Sequence, residues 1–239
     1  MYLELSYPIN QEMPIYPESP KYEIIPIRRM SENDHANTTV VKIYTHGGTH
    51  VDAPFHFDDK GNTIDQVPIN DFVYEHPLVI TKQLKKSQFF EVEDLKKFNQ
   101  ELFISDIIFF GTGYYKLRNK PEIYEDDFPS ISENTAKFIR TELLNVKAVA
   151  IDTSSIESPT MAPKTNRIVH KTLLDGALYK TRPLLIYEEV NIGKILDKRI
   201  RRIYAFPLRL TGLDASPVNM VAEIWSFYNG KQMVNWISF

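Results

Sequence analysis

Residues 46–56 read His46-Gly47-Gly48-Thr49-His50-Val51-Asp52-Ala53-Pro54-Phe55-His56, and the reading of this stretch decides the rest. It holds three of the six histidines in 239 residues. An even spread would put roughly 0.3 in such a window, and a local excess of histidine is a metal cue. His46, His50, Asp52 and His56 all fall on even positions. In an extended chain residues two apart share a face, so the spacing predicts four polar groups converging on one side. The odd positions, Thr45, Gly47, Thr49, Val51, Ala53 and Phe55, are small or apolar, as a core-facing side requires. Val41 and Ile43 extend that apolar face upstream. A helix would also bring His46 and His50 together at i, i+4. However, Gly47-Gly48, the β-branched Thr49 and Val51, and Pro54 all oppose one. The segment is read as extended.

A lone histidine on a strand is ordinarily a satisfied core or surface residue. Four convergent polar groups are different, because burying them without a metal leaves donors and acceptors unpaired. The zincin protease motif needs His-Glu-x-x-His, and Gly47 removes its general base. A cupin would want a closer His-x-His pair. The chain has no cysteine, so any metal must be held by histidine and carboxylate. Two imidazoles and a carboxylate, with positions on the ion left open, are the donor set of a catalytic divalent metal.

Outward from this motif, short Val/Ile/Tyr/Phe-rich runs predict strands near 38–45, 77–82, 106–111, 146–152, 183–188, 202–210 and 221–227. Helical patterns are fewer, at 94–102, 132–144 and 167–176, the second entered by Pro129 and a Ser130-x-x-Glu133 capping box. Nothing resembles a linker or a repeat, and 239 residues fit one domain spanning 1–239. The balance predicts a single α/β domain with more strand than helix. A net charge of −3 gives no global field for nucleic acid or anionic lipid. The opening MYLELSYPINQEM lacks the basic and apolar regions of a secretory signal. No apolar run approaches the roughly 18 residues of a membrane span. The expectation is a soluble, cytoplasmic protein with no nucleic-acid or membrane partner.

HGGTHVDAPFH resembles the His-x-Gly-Thr-His-x-Asp-x-Pro-x-His signature of the cyclase family of metal-dependent hydrolases, which includes bacterial kynurenine formamidase and isatin hydrolase. The resemblance extends to LELSYPINQEMPIYPESP near the start, to NTIDQVPINDF, DIIFFGTGY and AVAIDTSSIE in order, and to FPLRLTGLDASPVNMVAEI near the end. It implies a mixed, partly barrel-like sheet with flanking helices, of the swivelling β/β/α type. It also implies a homo-oligomer, dimer or tetramer. By the same resemblance His46, His50 and Asp52 ligate a first ion, Asp52 bridges to a second where two are held, and His56 is the general acid/base. His170, in NRIVHKTLL, and a glutamate complete the second position. IYEEVNI offers Glu188 and Glu189, and Glu188 keeps the two-residue step to Val190 that the family pattern shows, although an insertion lengthens the gap from His170.

The implied activity is hydrolysis of a small-molecule amide, an aryl formamide such as N-formylkynurenine or a cyclic amide or lactone, with one or two zinc or manganese ions. A divalent cation lowers the pKa of its bound water from 15.7 toward ~7, and an imidazole can carry the proton to the leaving nitrogen. The alternatives are a metal-dependent cyclase or dehydratase, and a metal- or ligand-binding protein without catalysis. Other signals carry less. His35 lies in the polar loop SENDHANT, His76 precedes Pro77, and Gly111-Thr112-Gly113 lacks the third glycine of a dinucleotide fingerprint. DKRIRRI at 197–203 reads as a solvated strand face.

Overall fold

The central strands are apolar on alternate and intervening positions alike, and the structure, a computed structural model, buries both of their faces. It describes residues 1–125, 127–225, 227–228 and 231–232. Nine strands form one mixed sheet: β1 (Tyr2–Glu4), β2 (His50–Asp52), β3 (Val73–Tyr74), β4 (Pro77–Thr81), β5 (Ile107–Gly111), β6 (Ala148–Ile151), β7 (Leu185–Glu188), β8 (Ile200–Pro207) and β9 (Ala215–Ile224). Their order is β3-β8-β9-β2-β7-β6-β5-β4, with β1 also paired to β9. Strands β4 to β7 run parallel to their neighbours among themselves, and the remaining pairs are antiparallel. The two ends of that order, β3 and β4, are separated in sequence only by Glu75 and His76. The sheet therefore curls until its edges nearly meet, giving the barrel-like α/β domain that the sequence implied.

Period-two alternation sorts the core. Ile107, Phe109, Ala148, Ala150 and Tyr187 point into the curl with Val51, Ile203 and Met220. Ile108, Phe110, Val149, Ile151 and Ile186 point the other way, under the helices α4 (Glu133–Glu142) and α5 (Ile168–Leu174). Two covered faces are what a parallel stretch reading as a continuous apolar run requires. Arg140 of α4 is 2% exposed and ties the two helices. Its guanidinium donates to the carbonyls of Leu173, Asp175 and Arg182, covering the C-terminal end of α5. Cationic groups suit that end of a helix.

Several expectations shift. The helix foreseen at 94–102 is two pieces, α1 (Val92–Lys96) and α2 (Asn99–Ile104), with Asn99 at φ 44° between them. A third short helix, α3 (Pro121–Tyr124), was not foreseen. The cap of α4 is Ser132, whose hydroxyl accepts from Thr135 N at 3.2 Å. Ser130 is committed instead to a short parallel ladder, Ser130–Ile131 on Phe89–Phe90. Finally, Thr38–Lys42 pairs with Glu23–Arg28 in a hairpin apart from the main sheet, and Val41 is exposed rather than core-facing. Among the described residues no helix is long and apolar enough to cross a membrane.

Candidate metal centre

Register places the first three polar groups. Strand β2 lies antiparallel to β7 with His50 opposite Glu188 and Asp52 opposite Ile186. Directly opposed residues share a face, so His50, Asp52 and Glu188 all project to the side covered by α5, which adds His170. The rest of the 46–56 stretch converges by bending, not by extension. Before β2 the chain turns through Gly48 at φ 67°, a conformation glycine adopts without steric cost. After it, a 3-10 turn at Pro54–His56 carries His56 back. That turn is backed by Gly61, where a Cβ would stand 2.8 Å from the Pro54 carbonyl carbon. The His46 and His56 rings end 4.2 Å apart, centroid to centroid.

The groups form two clusters that share one carboxylate: His46, Asp52 and His56, and His50, Asp52 and Glu188. His46 Nδ1 is 2.9 Å from Asp52 Oδ1, and His50 Nε2 is 3.2 Å from Glu188 Oε2 and 3.5 Å from Asp52 Oδ1. His170 Nε2 is 3.3 Å from Glu188 Oε1. Short as these distances are, His50 Nε2 and both Asp52 oxygens are buried with no hydrogen-bond partner. The other faces of the rings explain why. His50 Nδ1 lies 2.8 Å from Gly48 O, which can only accept, so a proton sits on Nδ1 and Nε2 faces the carboxylates. His170 Nδ1 is held in the same way by Glu157 Oε2 at 2.6 Å. Such a ring meets the carboxylates either as an imidazolium, through Nε2–H, or through its Nε2 lone pair with a cation between them, and neutral rings oriented this way beside shared carboxylates are a donor set that fits a divalent metal.

The electrostatics agree. Burial alone would depress the His46 imidazole, but the Asp52 carboxylate and the bond to Asp214 hold it up at about 11. Burial is likewise outweighed at His170, where Glu157 and Glu188 hold the ring at about 9. Glu188, despite burial, lies well below the ordinary glutamate range because His170 and His50 surround it. Hydrogen bonds from His46 and His56 hold Asp214 well below the usual carboxylate range. Every shift expresses one demand, positive charge between these acids and rings.

All six residues singled out from the sequence therefore meet at one place. Glu188, not Glu189, faces it: Glu189 turns away to a buried ion pair with Arg118 at 2.6 Å. Around the shared Asp52, His56 lies beside His46, and His50 lies beside Glu188, next to which stands His170. His35 and His76 are exposed and apart from the centre.

Residues 3–158 match the family described as putative cyclase. The chain belongs to that family. This cyclase-family chain is 24% identical over 220 residues to a kynurenine formamidase of Bacillus cereus (strain ATCC 10987 / NRS 248), covering 92% of this chain and 96% of that protein. Among solved structures, isatin hydrolase A from Ralstonia solanacearum is similar with a TM-score of 0.78 at 18% identity, over 93% of this chain and 91% of that one. A predicted metal-dependent hydrolase from Bacillus stearothermophilus gives 0.70 at 19% identity, over 93% and 97%. At such identities the solved structures establish a shared fold.

Two acids of the cyclase-family site went unnoticed in the sequence. Asp214 Oδ2 lies 2.7 Å from His46 Nε2 and 3.1 Å from His56 Nδ1, joining the two rings through one atom. Glu157 holds His170 and also accepts from Thr165 Oγ1 at 3.2 Å. Both lie inside quoted family stretches, GLD at 212–214 and SSIE at 154–157, but nothing in their spacing links them to histidines far along the chain.

Proposed function

We propose that the protein is a divalent-metal-dependent hydrolase of a small carbonyl compound, cleaving the non-peptide C–N bond of an aryl formamide such as N-formylkynurenine or of a cyclic amide, or the acyl C–O bond of a lactone. The observation that carries this reading is Asp52, a fully buried carboxylate shared by two histidine clusters with neither oxygen hydrogen-bonded. The kynurenine formamidase and isatin hydrolase among the relatives support the reaction class. His46, His50 and Asp52 would hold one ion, and Asp52 with Glu188 and His170 a second where two are bound. Zinc and manganese both suit imidazole and carboxylate ligands. When bound, the cation supplies Lewis acidity and a water of lowered pKa.

The chain's own groups do the rest. His56 Nδ1 is held by Asp214, which leaves Nε2 as the ring atom to act on the substrate. It takes a proton from the attacking water there and returns it to the leaving nitrogen as the C–N bond breaks, leaving the acid and the amine. Glu157 and Gly48 fix the tautomers of His170 and His50. A homo-oligomer completes the reading. An isolated hairpin is marginal in water, yet the 23–28 and 38–42 strands stand off the main sheet with Ile24, Ile27, Val40 and Val41 exposed. Light scattering on a sizing column would show a mass above that of one chain.

Metal analysis coupled to turnover of N-formylkynurenine, isatin and simple lactones tests the function. Hydrolysis lost to a chelator and restored by zinc or manganese is the expected result. Product formed without incorporation of solvent oxygen would instead make the protein a cyclase or dehydratase. Full metal occupancy with no turnover of any carbonyl substrate would leave a binding protein.

A further inference from the structure

The cavity that opens onto the centre contains a cation that the proposed chemistry does not use. It measures about 290 Å³, and its lining includes Tyr16, Tyr44, His46, His56, Phe57 and Arg167. The tyrosines and Phe57 give it aromatic walls, with Phe57 stacked on the His170 ring at 5.0 Å and edge-on to His56 at 4.7 Å. Arg167 is half-buried, and among the described residues no carboxylate forms an ion pair with it. Its neighbour is the Tyr16 phenol, which burial pushes up and the guanidinium partly pulls back. Arg118 is by contrast neutralised by Glu189.

The backbone adds an independent observation. Arg167 sits in the left-handed region at φ 53°, ψ 43°, directly after Asn166 at φ 54°. Asparagine tolerates that region, whereas a long side chain rarely adopts it. The conformation is held by Arg167 N donating to Ala162 O at 2.8 Å and by Lys171 N donating to Arg167 O at 3.1 Å. Held strain at a cavity wall is a mark of a functional position.

We infer that Arg167 is a specificity-determining residue that binds a carboxylate on the substrate. The preferred substrate is then a planar, aromatic amide carrying an anionic group that reaches Arg167 while its carbonyl lies at His56. A guanidinium presents a planar fork that matches a carboxylate bidentately, and an ammonium does not. The inference rests on the amide-hydrolysing reading above.

The test compares metal-loaded wild type with Arg167→Asn, which tolerates the same backbone angles, and Arg167→Lys. Substrates are the three ring isomers of formamidobenzoate and neutral formanilide. The wild type is expected to prefer at least one formamidobenzoate in kcat/KM. Arg167→Asn should cut that preference about 10- to 100-fold, mainly through KM, with Arg167→Lys between the two. No preference in the wild type, or one unmoved in Arg167→Asn, overturns the assignment. If neither substrate type is hydrolysed, the aryl-formamide reading fails, and calorimetric binding of benzoate against benzamide then decides on Arg167. Benzoate held about 10-fold more tightly by wild type than by Arg167→Asn supports it, and equal affinity sinks it.

Discussion

Glu157→Gln isolates how much the proposed centre depends on an acid that would never touch the ion. Glu157 Oε2 accepts two hydrogen bonds, from His170 Nδ1 at 2.6 Å and from His170 N at 3.0 Å, and Oε1 accepts from Thr165 Oγ1. Glutamine keeps the shape, one acceptor for the ring and an amide for Thr165, but removes the charge. Hydrogen bonds to charged groups contribute about 1.5–3 kcal/mol and neutral ones about 0.5–1.5, so the ring loses on the order of 1–1.5 kcal/mol of support. That predicts metal affinity weakened at least fivefold. Loss of a group that orients a ligating histidine typically costs 10–100-fold, and the two figures meet near tenfold. Competition against a chromophoric chelator at fixed pH measures it, with a thermal melt to show the fold intact. Affinity within twofold of wild type would mean that His170 binds no ion, or that Glu157 does not orient it.

His56→Ala should lower turnover about 10²–10⁴-fold while metal content by elemental analysis stays at the wild-type level. A parallel loss of metal would make His56 a ligand, as its place beside His46 and Asp52 permits. Asp94 supplies the pH prediction: although burial opposes it, bonds from Lys82, Glu91 N and Lys97 hold its carboxyl down at about 2. With the folded value depressed, its stabilisation is complete above the ordinary aspartate range and disappears as pH falls through about 2. Lys82 and Lys97 are partly solvated, which discounts the effect to about 1 kcal/mol. Asp94→Asn should therefore melt about 2–4 °C lower at neutral pH, and the gap should close in acid. Arg140→Met strips the carbonyls at the end of α5 of their donors and should cost about 3 kcal/mol, lowering the melting temperature by about 6–12 °C. A change under 2 °C would show that water replaces the guanidinium without loss.

Local information read well. The Val/Ile/Tyr/Phe-rich runs near 106–111, 146–152 and 183–188 located buried strands, because a strand covered on both faces reads as a near-continuous apolar run. Between Glu188 and Glu189 the residues alone leave the choice open, and only the resemblance, through the step to Val190, favours Glu188; in the structure Glu189 stands just past the strand at φ 54° and turns to Arg118. What the sequence hid was bending and distance. Even parity of His46, His50, Asp52 and His56 suggested one flat face, whereas only residues 50–52 are strand and the outer histidines arrive through turns. Asp214 lies 168 positions from His46 and 158 from His56, so no spacing rule connects them. Val41 followed the apolar parity faithfully yet sits in a hairpin outside the main sheet, since parity says which face a residue takes and not what covers that face.

Strand β2 is gripped on one side by residues 186–188 and on the other by 215–217. During synthesis the histidine-bearing stretch therefore emerges more than a hundred residues before either of its neighbours. A ribosome making this chain releases a loose run of imidazoles long before any scaffold exists to choose among passing ions. A metal held between His50, Asp52 and Glu188 would therefore meet its full donor set only after residues 186–188 have been made and have paired with β2.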